Sequence, residues 1–218
     1  MKKSIWLSPV AGVIFLVASA VQANPIVADL EDITNGGGFF AKVTFEDFGM
    51  DTVKVTADIA DPINVGLTQG DILGLWLDIA DESLLAGITF GNEDPANIIT
   101  ATAVGANAVN AVGDPNNNLN GSGLTDFDIG LALGIQGGPD FVQTLMFSIT
   151  SVGLTSAEFA EQRVGMRVQS IEGTTFAAGS AKLGGEGDGG GGEQDIPVPG
   201  TLLLIGLGLL GLRFRRKV

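Results

Sequence analysis

Apolar and polar residues alternate with a period of two along much of this chain. Val53, Val55, Ala57 and Ile59 alternate with Lys54, Thr56 and Asp58, and Phe127, Ile129, Leu131, Leu133 and Ile135 alternate with Asp128, Gly130, Ala132 and Gly134. Successive side chains of a strand point to opposite faces, so each run predicts a half-buried β-strand. Further runs predict strands at 39–45, 72–79, 84–90, 97–104, 141–150 and 163–171. The 72–79 run is apolar on both faces and is expected in the interior of a sheet. Clusters of Gly, Pro, Asn and Asp at 35–38, 61–62, 91–95, 114–118 and 137–140 punctuate these runs as turns. About eight short strands separated in this way predict an antiparallel β-sandwich of the jelly-roll or immunoglobulin-like kind. Thr155-Ser-Ala-Glu158 has the form of a capping box and predicts one or two turns of helix.

Two segments break the alternation, one near each end of the sequence. Met1-Lys2-Lys3 precedes an apolar stretch from Ile5 to Ala20, and Val21-Gln22-Ala23 supplies the small residues a signal peptidase reads. Residues 1–23 therefore read as a secretory signal peptide cleaved after Ala23. At the other end, Pro197-Val198-Pro199-Gly200 leads into 201–212, where only Thr201 is polar, and Arg213, Arg215, Arg216 and Lys217 follow. A helix apolar on every face belongs in lipid, and the four basic residues form a cytoplasmic stop. Sixteen residues, 199–214, span roughly 24 Å against a hydrocarbon core of about 30 Å. Snorkelling arginines and local thinning bridge a gap of that size. The expectation is a short C-terminal transmembrane helix.

Pro-x-Pro, a Leu/Gly-rich segment and an Arg-rich end make residues 196–218 resemble the PEP-CTERM sorting signal, although Val198 stands where that family usually has Glu. The resemblance implies an exosortase-type processing enzyme as partner and export through the inner membrane. It further implies a membrane-anchored precursor, and a mature protein at the cell surface or in the extracellular matrix of bacteria that make exopolysaccharide. A temporary hydrophobic tail of this kind works as a GPI signal does.

Charge and composition narrow what lies between the two ends. All 25 Asp and Glu residues fall between Asp29 and Asp195, where the only basic residues are Lys42, Lys54, Arg163, Arg167 and Lys182. So negative a surface repels nucleic acid and anionic lipid and favours solubility. Cations, neutral sugars such as exopolysaccharide, and other proteins remain as partners. There is no cysteine, so the core must supply stability without disulfides. Residues 24–183 are enough for one domain. Residues 184–195, almost entirely Gly, Glu and Asp, read as a flexible acidic linker to the tail.

With no histidine, cysteine or tyrosine, the chain lacks the side chains of Ser-His-Asp and Cys-His sites and of histidine-ligated zinc. Carboxylates remain. Asp126 and Asp128, two apart at the start of a strand, are expected on one face, the arrangement a carboxylate-dependent glycan hydrolase would use. Asp114, Asn116, Asn118 and Asn120 recur at every second position before Gly121 and offer hard oxygen ligands, so these four with Asp126 or Asp128 form a candidate Ca²⁺ site. Leu119 and Thr125 stand where an EF-hand needs its turn glycine and bidentate Glu. Trp76 lies in an apolar strand and is expected in the core. Three readings follow: a non-enzymatic exported surface or matrix protein with no cofactor, a carbohydrate- or calcium-binding adhesion module, and, more remotely, a glycan hydrolase.

Overall fold

The structure is a computed structural model that describes residues 24–34, 40–60, 62–135, 140–175 and 179–189. The expected signal peptide with its cleavage site at Ala23, and the sorting tail with Pro197, Val198, Pro199, Gly200, Arg213, Arg215, Arg216 and Lys217, lie outside the described residues.

Ten strands form the described chain: β1 (Ile26–Asp32), β2 (Phe40–Asp47), β3 (Thr52–Asp58), β4 (Leu67–Leu77), β5 (Thr89–Asp94), β6 (Ile99–Val109), β7 (Phe127–Leu133), β8 (Thr144–Thr150), β9 (Arg163–Gly173) and β10 (Gly179–Glu186). All pair antiparallel in the order β5-β8-β3-β2-β1-β10-β9-β4-β7-β6. A sandwich has two separate sheets; here one ten-stranded sheet rolls on itself, nearly closing into a barrel. The two five-stranded halves stay joined because β1 pairs with β10 through Glu31 opposite Gly184 and Asp32 opposite Leu183. Among the described residues no helix is long and apolar enough to cross a membrane.

The alternation of each strand dictates what lies inside the roll. Ala41, Val43 and Phe45 of β2, Val53, Val55 and Ala57 of β3, and Leu145, Phe147 and Ile149 of β8 face the interior. They meet Leu75 and Leu77 of β4, Ile129, Leu131 and Leu133 of β7, and Val164, Met166 and Val168 of β9. Register places inward residues opposite one another, Phe45 by Val55 and Val55 by Phe147, so apolar pairs stack across strands. Phe159 of the loop before β9 stacks on Phe45 with ring centroids 4.2 Å apart.

β7 departs from the half-buried prediction, since all seven of its residues are buried. A second, smaller cluster covers the outer face of this part of the sheet: Trp76, Val109, Val112, Leu119, Phe127 and Ala132. Trp76 pairs with Gly130 on one side and Gly165 on the other. A Cβ on Gly165 would stand 2.3 Å from Leu119 and 3.1 Å from Phe127, so glycine there lets this outer cluster close.

Three local expectations are corrected. Residues 84–90 do not form one strand; Glu82–Gly87 is a 3₁₀ helix and β5 follows from Thr89. Asp81 caps that helix by accepting the Ser83 N–H at 3.0 Å, a local bond that competes with extended backbone. A 3₁₀ helix does form at Ser156–Phe159, but the Thr155 side chain does not cap it. The Ser156 N–H donates instead to Asp47 at 2.7 Å, and the Glu158 carboxylate accepts from the Asp81 N–H at 3.0 Å. Finally, the expected linker start at Gly184 falls within β10, and Gly187 bridges Ala28. A Cβ on Gly185 would lie 2.3 Å from the Asp29 carbonyl oxygen and one on Gly187 2.1 Å from that of Phe159. These glycines mark close backbone approach rather than flexibility.

Candidate functional site

The candidate calcium residues belong to the 110–126 connection between β6 and β7, which folds over the outer cluster. Val112, Asn117 and Leu119 are its buried positions, and Asn117 donates to the Leu73 carbonyl at 3.1 Å. Asp114, Asn116 and Asn120 are exposed and Asn118 half-buried. Residues 114–117 form an exposed turn, with the Asn117 N–H donating to the Asp114 carbonyl at 2.8 Å, and only Asn117 and Leu119 after it are packed down. Their polar groups are engaged locally: Asp114 accepts the Asn116 N–H at 2.7 Å, and Asn118 accepts that of Asn120 at 3.0 Å while donating to the Pro115 carbonyl at 2.7 Å. The carbonyls that would help hold a cation already face positive side chains. Arg167 of β9 donates to those of Asn116 at 2.5 Å and Asn118 at 3.2 Å, and Lys182 of β10 donates to that of Asn120. Burial, with the charge of Arg167 adding to it, lowers the Lys182 pKa, as expected where two cations converge.

Asp126 and Asp128 do not share an environment. Asp126 is exposed with φ at 59°, and hydrogen bonds from Asn110 (3.1 Å) and Thr125 (2.9 Å) lower its pKa. Asp128 is buried and its two oxygens accept the Ile79 N–H at 3.0 Å and the Asn107 N–H at 2.7 Å. No group of three or more Asp or Glu side chains placed to hold a metal occurs among the described residues. What ties this corner together is Arg163 at the start of β9. Its Nε lies 2.5 Å from Asp78, its Nη1 and Nη2 donate to the Thr125 and Asp126 carbonyls at 3.0 Å each, and its guanidinium sits 5.0 Å from the Phe127 ring centroid. Asp78 is buried, and that burial raises its pKa although Arg163 pulls the other way.

An acid pair absent from the sequence reading joins the two halves of the roll at the opposite end. Asp71, in β4, is fully buried; its carboxyl accepts from Gln169 of β9 at 3.0 Å and from the Val142 N–H at 3.3 Å. The side chain of Asp140, just before β8, is hydrogen-bonded to it. Asp140 Oδ2 also accepts the Ile135 N–H at 3.1 Å, while its buried Oδ1 receives no N–H or O–H when both acids are ionised. Two carboxyls held side by side disfavour the charged form of Asp71. Burial first, then the Asp140 hydrogen bond and charge, raise the Asp71 pKa against the lowering influence of Gln169. The one sequence signal was an acid at the entrance to a run apolar on both faces.

The chain leaves the barrel beside the point where β1 begins. Asp188 accepts the Val27 N–H at 2.8 Å and donates its own N–H to the Val27 carbonyl at 2.8 Å. Beyond Gly189 come an acidic glycine run, Pro-Val-Pro-Gly, the Leu/Gly segment and the basic end. Residues 195–217 match the PEP-CTERM protein-sorting motif. The PEP-CTERM motif takes in Pro197, Val198, Pro199 and Gly200 and the four basic residues up to Lys217. It marks a protein that is exported and held as a membrane-anchored precursor for an exosortase. No curated protein and no solved structure matches the chain.

Proposed function

We propose that this chain is an exported, non-enzymatic surface or matrix protein, held at the outer face of the inner membrane by its PEP-CTERM tail until an exosortase processes it. The observation that carries the reading is the motif at 195–217, set beyond the last described strand, which ends at Glu186. The N-terminal stretch up to Ala23 would direct export, and the basic end would hold the tail against translocation. With no His, Cys or Tyr in the sequence, and with Asp126 and Asp128 engaged by different partners, the residues favour a structural role over hydrolysis. Calcium is disfavoured at 114–120 by Arg167 and Lys182, which hold the loop carbonyls from β9 and β10. The acid-rich exterior suits a hydrated, polysaccharide-containing matrix, where like charge keeps copies apart.

Co-expression with an exosortase in a bacterial host, followed by intact-mass analysis, tests this reading. The expected product lacks the apolar 201–212 segment and the basic end. An unchanged mass for the exported chain, in a host that processes another PEP-CTERM protein, would overturn it.

A further inference from the structure

Strand order fixes which end of the barrel the tail leaves from. β1 begins and β10 ends side by side, tied by the Asp188 and Val27 hydrogen bonds. β2 neighbours β1, so the β2–β3 turn stands roughly 5–10 Å to the side of this exit, at one or two strand spacings. At that turn Phe48 is 55% and Met50 88% exposed, and Val152, in the turn after β8, is 84% exposed. The two turns are bound to each other: the Ser151 N–H donates to the Asp51 carbonyl at 3.1 Å and the Gly153 N–H to its carboxylate at 2.9 Å. Three large apolar side chains therefore share one rim, the rim from which the chain departs.

Residues 190–196 are all that separate Gly189 from Pro197. Seven residues reach about 25 Å fully extended, and a glycine-rich coil of that length averages roughly 15 Å. The opposite rim, with Val65, Ile135 and Phe141 exposed, lies a strand length beyond, some 23 Å for a seven-residue strand. With the tail in a bilayer, only the Phe48 rim stays within easy reach of the lipid.

We propose that in the tail-bearing precursor this rim lies against the bilayer, with Phe48, Met50 and Val152 entering the headgroup region. The inference rests on the tail being membrane-inserted, as in the proposed function. The contact is apolar, because the only basic residue near this turn, Lys54, is paired with Glu46 and the surface is otherwise acidic. Anionic lipid therefore repels the free domain, and the contact persists only while the tail keeps its local concentration high. Removing the tail ends both attachments together, so a single processing step frees the domain.

The chain has no cysteine, so single-cysteine variants label cleanly. Full-length Met50→Cys, Val152→Cys and Val65→Cys, each carrying an environment-sensitive fluorophore, are reconstituted in vesicles of phosphatidylethanolamine with a minor share of phosphatidylglycerol and doxyl-labelled lipid. Quenching at 50 and 152 should exceed that at 65 by about twofold or more, as for a surface-inserted apolar tip. The Phe48→Glu, Val152→Glu double variant, labelled at Met50→Cys, should lose the excess without losing flotation. Equal quenching at 50, 152 and 65 in vesicles that float with the protein overturns the orientation while leaving the tail reading intact. A chain that does not float with vesicles overturns both. Fluorophores at 50 and 152 that are equally shielded without vesicles would show that the tail itself covers the rim, which also contradicts the proposal.

Discussion

Replacing Asp71 by Asn probes a fully buried carboxyl that the fold keeps beside another. The amide donates to Asp140 without needing a proton, so it reproduces the protonated form at every pH. In the folded protein Asp71 is fully buried and meets Asp140, Gln169 and the Val142 N–H. Among the described residues its partners are Asp140 and the neutral donors Gln169 and the Val142 N–H. Because its folded pKa is raised above the unfolded value, the native state binds more protons than the unfolded chain between the two pKa values. The stability this acid contributes is complete below the unfolded carboxylate range, near pH 4, and is lost as pH rises through the raised folded value. Each pH unit inside that window removes about 1.4 kcal/mol from the wild type relative to the variant. Urea denaturation of both proteins from pH 4 to pH 9 measures the difference. The stability of Asp71→Asn minus that of wild type should climb with this slope above pH 4 and then level off. A difference that stays flat from pH 4 to pH 9, with both proteins folded, would refute the raised Asp71 pKa.

Arg163→Met keeps the apolar stem but strands Asp78 and two carbonyls, and because Arg163 is 37% exposed the loss should be moderate, about 2–3 kcal/mol at pH 7. The loss should shrink at pH 5 as the unpaired Asp78 takes up a proton, and urea midpoints at the two pH values check it. Gly165→Ala forces a methyl against Leu119 and Phe127 and should lower stability by about 1–3 kcal/mol, read by thermal melting. Millimolar calcium against EDTA should leave the melting temperature unmoved, since Arg167 and Lys182 hold the loop carbonyls; a rise that disappears in Asp114→Ala would restore the calcium site.

What could be read from the sequence was whatever one buried face imposes. Val53 to Ile59 and the 163–171 run alternate because each lines the roll, and they fell where period two placed them. The 84–90 run has enough apolar residues for a strand, yet Leu84, Leu85 and Ile88 pack on the core from a 3₁₀ turn and its exit, and composition over so short a run cannot separate the two. β10 was hidden by its glycines, which signal flexibility in composition and close backbone approach in the fold. At 114–120 the same period of two that marks strands imitated ligand spacing, because Asn117 and Leu119 are turned inward. Asp71 and Asp140 meet only because the rolled sheet brings the start of β4 against the segment before β8, strands that do not pair, and no local pattern encodes that. The sorting motif, by contrast, was legible as a linear signal at residues 195–217.

The proposed function requires that residues up to Gly189 fold without the tail and that the tail holds the protein at the membrane. Full-length protein and a chain ending at Gly189, expressed without an exosortase, are compared by membrane fractionation with thermal melting of the purified forms. The full-length chain should be retained in membranes and the shortened one released to the soluble exported fraction with the same melting temperature. A shortened chain that stays with membranes, or one that no longer melts cooperatively, would contradict the account.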